Sequence, residues 1–101
     1  METVDLLIGG ESRDARNGAM FERSNPITGK VVSWAAAATL EDADDAVAAA
    51  HSAFPAWAKL GPGERRATLM RAADLLEQRT DRFIALGVDE TGAAANWHGF
   101  T

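Results

Sequence analysis

A chain of 101 residues is about one small domain's worth, and 47% hydrophobic residues supply material for a core. Ten Lys and Arg against fifteen Asp and Glu leave a formal charge of −5, a field that repels phosphate backbones and anionic lipid headgroups, so nucleic acid and membrane partners are not expected. The absence of cysteine removes disulfides, thiolate metal ligands and thiol nucleophiles together.

In chain order, Leu6-Leu7-Ile8 is a short apolar run closed by Gly9-Gly10, a dipeptide suited to the positive φ angles of a tight hairpin, with Glu11-Ser12 leaving it. Arg13 to Ala19 is small and polar and reads as loop. Met20-Phe21-Glu22-Arg23 reads as a brief strand stopped by Pro26. Asn25-Pro26-Ile27-Thr28-Gly29-Lys30 carries the residues of a turn, and the β-branched and aromatic bias of Val31-Val32-Ser33-Trp34 predicts a second strand.

From Thr39 the pattern becomes helical. Thr39 is the expected N-cap, with Glu41, Asp42, Asp44 and Asp45 at the positive end of the dipole, a buried stripe of Ala43, Ala46, Val47, Ala50 and Phe54, and Pro55 as the limit. Gly61-Pro62 opens a second helix whose buried face is Leu69, Ala72, Ala73 and Leu76. Thr80 is the expected cap of a third, with Phe83, Ile84, Gly87 and Val88 on one side and Gly92 as its stop. The fold predicted is therefore α/β, with short strands and a hairpin over about 5–34 followed by helices over about 40–53, 62–79 and 81–91. It forms a single unit over 1–101, without repeat or linker. Alanine-rich stripes contribute little apolar area, at about 25 cal/mol per Å², which implies a larger body to pack on.

Candidate chemistry is sparse. Asp42, Asp44 and Asp45 lack the Gly and Glu of a calcium loop, since Val47 stands at the sixth position, and they read as helix-dipole residues. Gly61-Pro62-Gly63-Glu64-Arg65-Arg66 is no phosphate loop, because no Gly-Lys-Ser/Thr follows and Pro62 lacks an N–H. Arg65, Arg66, Arg71, Arg79 and Arg82 alternate with Glu64, Asp74, Glu77 and Asp81 at spacings that predict an ion-paired surface. His51, placed near the end of the first helix, and His98, in the tail, have no neighbouring ligand or nucleophile pattern, so no metal site is expected. Trp34, Trp57 and Trp97 read first as packing residues. The acidic start Met1-Glu2-Thr3-Val4-Asp5 and the lack of a long apolar run lead to the expectation of a cytoplasmic protein.

The order of Ile8-Gly9-Gly10-Glu11, Asn25-Pro26-Ile27-Thr28-Gly29-Lys30-Val31-Val32, the acidic helix, Phe54-Pro55-Ala56-Trp57, Arg65 to Glu77 and Glu90-Thr91-Gly92 resembles the opening of the aldehyde dehydrogenase superfamily across nearly the whole chain. No single element is diagnostic; the collinear set is. The resemblance implies an oxidoreductase of several hundred residues, with a Rossmann-like cofactor domain, a catalytic domain carrying a cysteine nucleophile, and an oligomerisation arm. In that enzyme a thiolate attacks the aldehyde, hydride passes to NAD or NADP, and the thioester is hydrolysed with help from a glutamate while an asparagine amide holds the oxyanion.

This chain is then a partial N-terminal portion of the cofactor-binding domain, with no complete Rossmann unit, no catalytic domain and no catalytic or cofactor-binding residue of its own. Its expected partners are the rest of the enzyme or a homo-oligomer and, for the full-length enzyme, a small-molecule aldehyde. Neither Asn25 nor Asn96 stands in the oxyanion motif. Ala93 replaces a common Lys, and Ser12 a common aromatic. Glu90-Thr91-Gly92 followed by Trp97-His98-Gly99-Phe100 is closer to the branch that oxidises salicylaldehyde, vanillin or benzaldehyde, in which Trp97 would stack on the substrate ring. Some members hold a monovalent cation near the residues matching Arg23, Ser24 and Glu90. The alternative from another class is a stand-alone helical interaction module built on the same segment; a small hydrolase using His51 or His98 has no support from spacing.

Overall fold

The structure, a computed structural model, describes residues 2–100, with side chains described for residues 2–99. Met1, Thr101 and the side chain of Phe100, the last member of the Trp97–Phe100 run, lie outside the described residues.

The chain opens with strands β1 (Glu2–Val4), β2 (Leu6–Ile8) and β3 (Glu11–Arg13). The β2–β3 pair is the expected hairpin, antiparallel with Leu6 opposite Arg13 and Ile8 opposite Glu11. Gly9 and Gly10 both take positive φ, 62° and 82°, which a two-residue turn compatible with strand twist requires.

Strands β4 (Met20–Ser24) and β5 (Val31–Ala36) pair antiparallel around the predicted turn, with a register shift between Arg23 and Ser24. The Asn25 side-chain oxygen accepts from the N–H groups of Ile27 (2.8 Å) and Thr28 (3.2 Å), the local bonding that makes Asn a turn former. β1 had no counterpart in the sequence reading. It lies parallel to β5, with Glu2 opposite Ser33, and completes a three-stranded sheet in the order β1-β5-β4. Three residues are too few to show a period of two, so β1 has no visible pattern.

Helix α1 spans Leu40–Lys59 rather than stopping near residue 53, and Pro55 lies inside it. Proline removes one N–H, hence one intrahelical bond, but the alanines at 48–50, 56 and 58 favour helix strongly enough on both sides to carry it through. Thr39 caps it as expected. Helix α2 (Pro62–Gln78) opens on Pro62, with the Glu64 carboxylate accepting from the Gly61 N–H at 3.3 Å.

Helix α3 (Thr80–Thr91) follows after Arg79 alone, and Thr80 does not cap it. The Thr80 hydroxyl instead donates to the Glu77 carbonyl at 2.7 Å, captured by the open end of α2. Gly92, at φ 71°, ends α3 in the left-handed conformation and its N–H returns to the Val88 carbonyl. A short helix α4 (Ala95–Phe100) then packs back on α3.

The molecule is a slab of 48 × 36 × 15 Å with a radius of gyration of 16.9 Å, against about 13 Å for a compact body of this length. Among the described residues the buried ones are Ala15, Ser33 and Asp42, so there is no apolar core. The stripes expected to face a core are open: Val47 and Phe54 on α1, and Leu69 and Leu76 on α2, are all exposed. α1 instead turns Asp42, Asp45 and Ala49 toward the body of the slab. The apolar periodicity predicts buried faces on these helices, and among the described residues those faces are exposed instead, because no other element of the slab packs on them.

Candidate functional site

One polar cluster joins the first loop to the first helix. Asp42, 1% exposed, accepts at Oδ2 from the Thr39 N–H (2.9 Å), the Thr39 hydroxyl (3.0 Å) and the Arg16 N–H (3.1 Å), while its own N–H donates to Thr39 Oγ1 at 3.1 Å. Arg13 donates to Asp42 Oδ1 (3.3 Å) and Asp45 Oδ2 (2.7 Å), and Arg16 to Asp45 Oδ2 at 2.6 Å. The bond from the Thr39 N–H is the main reason the Asp42 carboxyl titrates below its ordinary value, against the opposing cost of burial. Asp45 is lowered first by the Arg13 hydrogen bond and then by that of Arg16. The helix-dipole reading of these aspartates is thus incomplete: Asp42 and Asp45 are partners of Arg13, at the end of β3, and Arg16, in the loop after it, 26 to 32 residues away in sequence.

A second cluster forms where α3 meets the sheet. Ser33, buried on β5, has its hydroxyl 3.5 Å from Glu90 Oε1, and Arg23 of β4 approaches Glu90 Oε2 at 4.0 Å. Arg23 and Glu90, two of the three residues matched to a cation position, are therefore neighbours, and the Glu90 carboxylate has the Arg23 guanidinium beside it. No group of three or more potential metal-ligating side chains occurs among the described residues.

The third feature is the α3–α4 junction. A Cβ built on Gly87 would lie 2.6 Å from Nδ1 and 2.9 Å from Cγ of His98, so the imidazole rests directly on the α3 backbone where a side chain is missing. His98 Nε2 is 2.9 Å from Thr91 Oγ1. The Thr91 hydroxyl donates its one proton to the Gly87 carbonyl (2.7 Å) and accepts from the Ala93 N–H (3.1 Å), so the bond to His98 requires Nε2 to donate. Beside this junction lies an open groove of about 480 Å³ lined by Leu76, Glu77, Thr80, Phe83, Ile84, His98 and Gly99. Trp97, the sequence candidate for a substrate pocket, is on the same short helix, 62% exposed, and is not among those lining residues. His98, set aside in the sequence as a tail residue, is thus a tertiary anchor. Its contact with Gly87 spans a helix stop, which no periodicity signals.

The remaining candidates are dispersed. With α1 running to Lys59, His51 sits two turns from the helix end, beyond the reach of the dipole assigned to it. Among the described residues, no ion pair joins the arginines of α2 and α3 to the acids interleaved with them; Arg82 reaches Glu2 of β1 instead. A nicotinamide dinucleotide needs a glycine turn that opens a helix after a parallel strand. The residues here do not fit it: Gly9-Gly10 turns β2 into β3, and Gly61-Pro62-Gly63 follows a helix and carries a proline in place of a donor.

Comparison with known proteins gives a consistent picture. A vanillin dehydrogenase from Pseudomonas fluorescens is 61% identical over 100 residues, 99% of this chain and 20% of that protein. The crystal structure of a salicylaldehyde dehydrogenase from Pseudomonas putida G7 complexed with salicylaldehyde superposes with a TM-score of 0.95 at 38% identity, covering 99% of this chain and 21% of that one. An NAD-dependent benzaldehyde dehydrogenase from Corynebacterium glutamicum superposes with a TM-score of 0.87 at 29% identity, covering 93% and 21% respectively. The chain thus spans about a fifth of the length of these relatives. The model of the aldehyde dehydrogenase family matches residues 13–98. The α/β architecture of strands followed by helices is the one these structures share, and the chain belongs to the aldehyde dehydrogenase family.

Proposed function

We propose that this chain is the structural opening of the cofactor-binding domain of an enzyme that oxidises an aromatic aldehyde to the carboxylic acid with NAD or NADP. The observation that carries the reading is the 61% identity to a vanillin dehydrogenase, sustained over 99% of the chain. The likeness to a structure complexed with salicylaldehyde supports an aromatic substrate, and Trp97 is assigned to the wall of its pocket as a stacking surface. No cysteine is present to act as the family's nucleophile, and no turn here fits a dinucleotide, so the segment supplies neither catalytic group nor cofactor site. Its own residues do positioning work: the Asp42 cluster ties the first loop to α1, and Gly92 and His98 set α4 on α3. The exposed faces of α1 and α2 support packing on the rest of the enzyme, whose location is taken as cytoplasmic; among the described residues no helix is long and apolar enough to cross a membrane.

The test is a chimera in which this chain replaces the matching fifth of the Pseudomonas fluorescens vanillin dehydrogenase, assayed for NADH or NADPH formation. Turnover of vanillin, salicylaldehyde and benzaldehyde in preference to hexanal is expected, with none from the isolated chain. A folded chimera that prefers hexanal, or turnover by the chain alone, would overturn the reading.

A further inference from the structure

We infer that His98 is a positioning residue for aromatic-aldehyde recognition, fixing Trp97 through its lock on α3. The inference rests on the assignment of Trp97 to the substrate pocket and adds the device that holds it there. α4 has six residues, too few to be a stable helix by itself, so its place depends on contacts made by its side chains. His98 supplies two of them. Its ring lies on the bare Cα of Gly87, within the space a Cβ would fill, and its Nε2–H donates to Thr91 Oγ1 at 2.9 Å.

Thr91 is itself held at the last turn of α3 by its bond to the Gly87 carbonyl. Gly87, Thr91 and His98 therefore form a closed set in which ring plane and ring azimuth are both determined. Trp97 is the adjacent residue, so the direction of its Cα–Cβ bond is set by where His98 is pinned. Losing the lock leaves α4 several orientations, only some of which present the indole to the substrate. An aromatic aldehyde then spends binding energy on selecting one of them, whereas an aliphatic aldehyde that does not stack is indifferent.

The experiment uses the same chimera with His98→Ala, His98→Gln, Thr91→Val, Thr91→Ser and Trp97→Ala, comparing KM and kcat for salicylaldehyde and hexanal. Loss of the His98–Thr91 hydrogen bond predicts a KM for salicylaldehyde raised roughly three- to tenfold in His98→Ala and at least as much in Thr91→Val, which also loses the bonds to Gly87 and Ala93, with kcat and the KM for hexanal changed by less than about twofold. His98→Gln, which keeps an N–H near the position of Nε2, and Thr91→Ser, which keeps the hydroxyl, should restore most of the loss. The His98→Ala/Thr91→Val double variant should be no worse than Thr91→Val alone.

An unchanged salicylaldehyde KM in His98→Ala, where Trp97→Ala raises it, would overturn the positioning role and leave the pocket assignment standing. An unchanged KM in Trp97→Ala would overturn the pocket assignment itself. Equal losses for both aldehydes, or failure of His98→Gln to rescue, would reduce His98 to a packing residue. Should His98→Ala not fold, the two Thr91 variants test the same bond from its other end.

Discussion

Gly92 and Ile27 meet edge to backbone: a Cβ on Gly92 would lie 2.6 Å from Ile27 Cγ1, so the β4–β5 turn sits directly on the α3–α4 junction. Gly92 also has φ 71°, where an L side chain is strained by roughly 1–2 kcal/mol. Ile27 Cγ1 adjoins a branched Cβ and Pro26 Cγ lies 3.3 Å from the same point, so the contact adds to the backbone term. Gly92→Ala in the chimera is expected to lower stability by at least that amount, and Gly92→Asn by less despite the same Cβ, because Asn tolerates the left-handed region. Thermal melts compare the two; equal losses would mean that the contact with Ile27, not the backbone, sets the cost.

Thr39 gives a sharper case. Thr39→Ala should cost about 1 kcal/mol of stability, the ordinary value of a lost N-cap. Aspartate is ordinarily as good a cap as threonine, yet here the Thr39 hydroxyl lies 3.0 Å from Asp42 Oδ2 and donates to it. Thr39→Asp would set two carboxylates against each other, and it should be at least as destabilising as alanine at pH 7 and recover in acid. A Thr39→Asp variant as stable as the parent would show that the reciprocal bond to Asp42 is dispensable.

The same cluster fixes a pH dependence. The carboxyls of Asp42 and Asp45 titrate lower in the folded state than their ordinary value of about 3.9. The unfolded chain thus binds more protons in acid, and the stabilisation is fully present above the unfolded value and fades as pH falls through the folded one. Asp45→Asn should therefore lower Tm most near neutrality, with the parent and variant curves converging below about pH 4. A Tm gap independent of pH would mean that the Asp45 charge contributes nothing.

The isolated 101-residue chain should retain helical circular dichroism, melt broadly, and bind a hydrophobic dye through the exposed faces of α1 and α2. A sharp, cooperative transition at low concentration with no dye binding would instead favour an independent helical module.

Much of the fold was legible because its signals are local. The Gly9-Gly10 turn, the Asn25–Lys30 turn, the Thr39 cap, Pro62 at a helix start and Gly92 at a helix stop each depend on one or two residues and their immediate backbone. Illegible features depended on residues far apart. The bonds of Arg13 and Arg16 to Asp45 cross about thirty positions, and β1 gains its identity only from β5. Pro55 does not end α1, because a breaker acts together with the helix-forming alanines on either side of it. At the candidate site, Trp97 is visible only through the family resemblance, and His98 is not visible at all, because nothing in the order of residues places it on Gly87.

A body 15 Å thick has no inside of its own. Tolerance to substitution along most of this segment will then be decided by what lies against its two broad faces. A complete scan of single substitutions in the assembled enzyme would trace an outline of those neighbours, with Leu69, Leu76, Val47 and Phe54 intolerant where they are covered. The same scan on the chain alone would find constraint chiefly at Ala15, Ser33 and Asp42, and any difference between the two maps would outline whatever covers those faces.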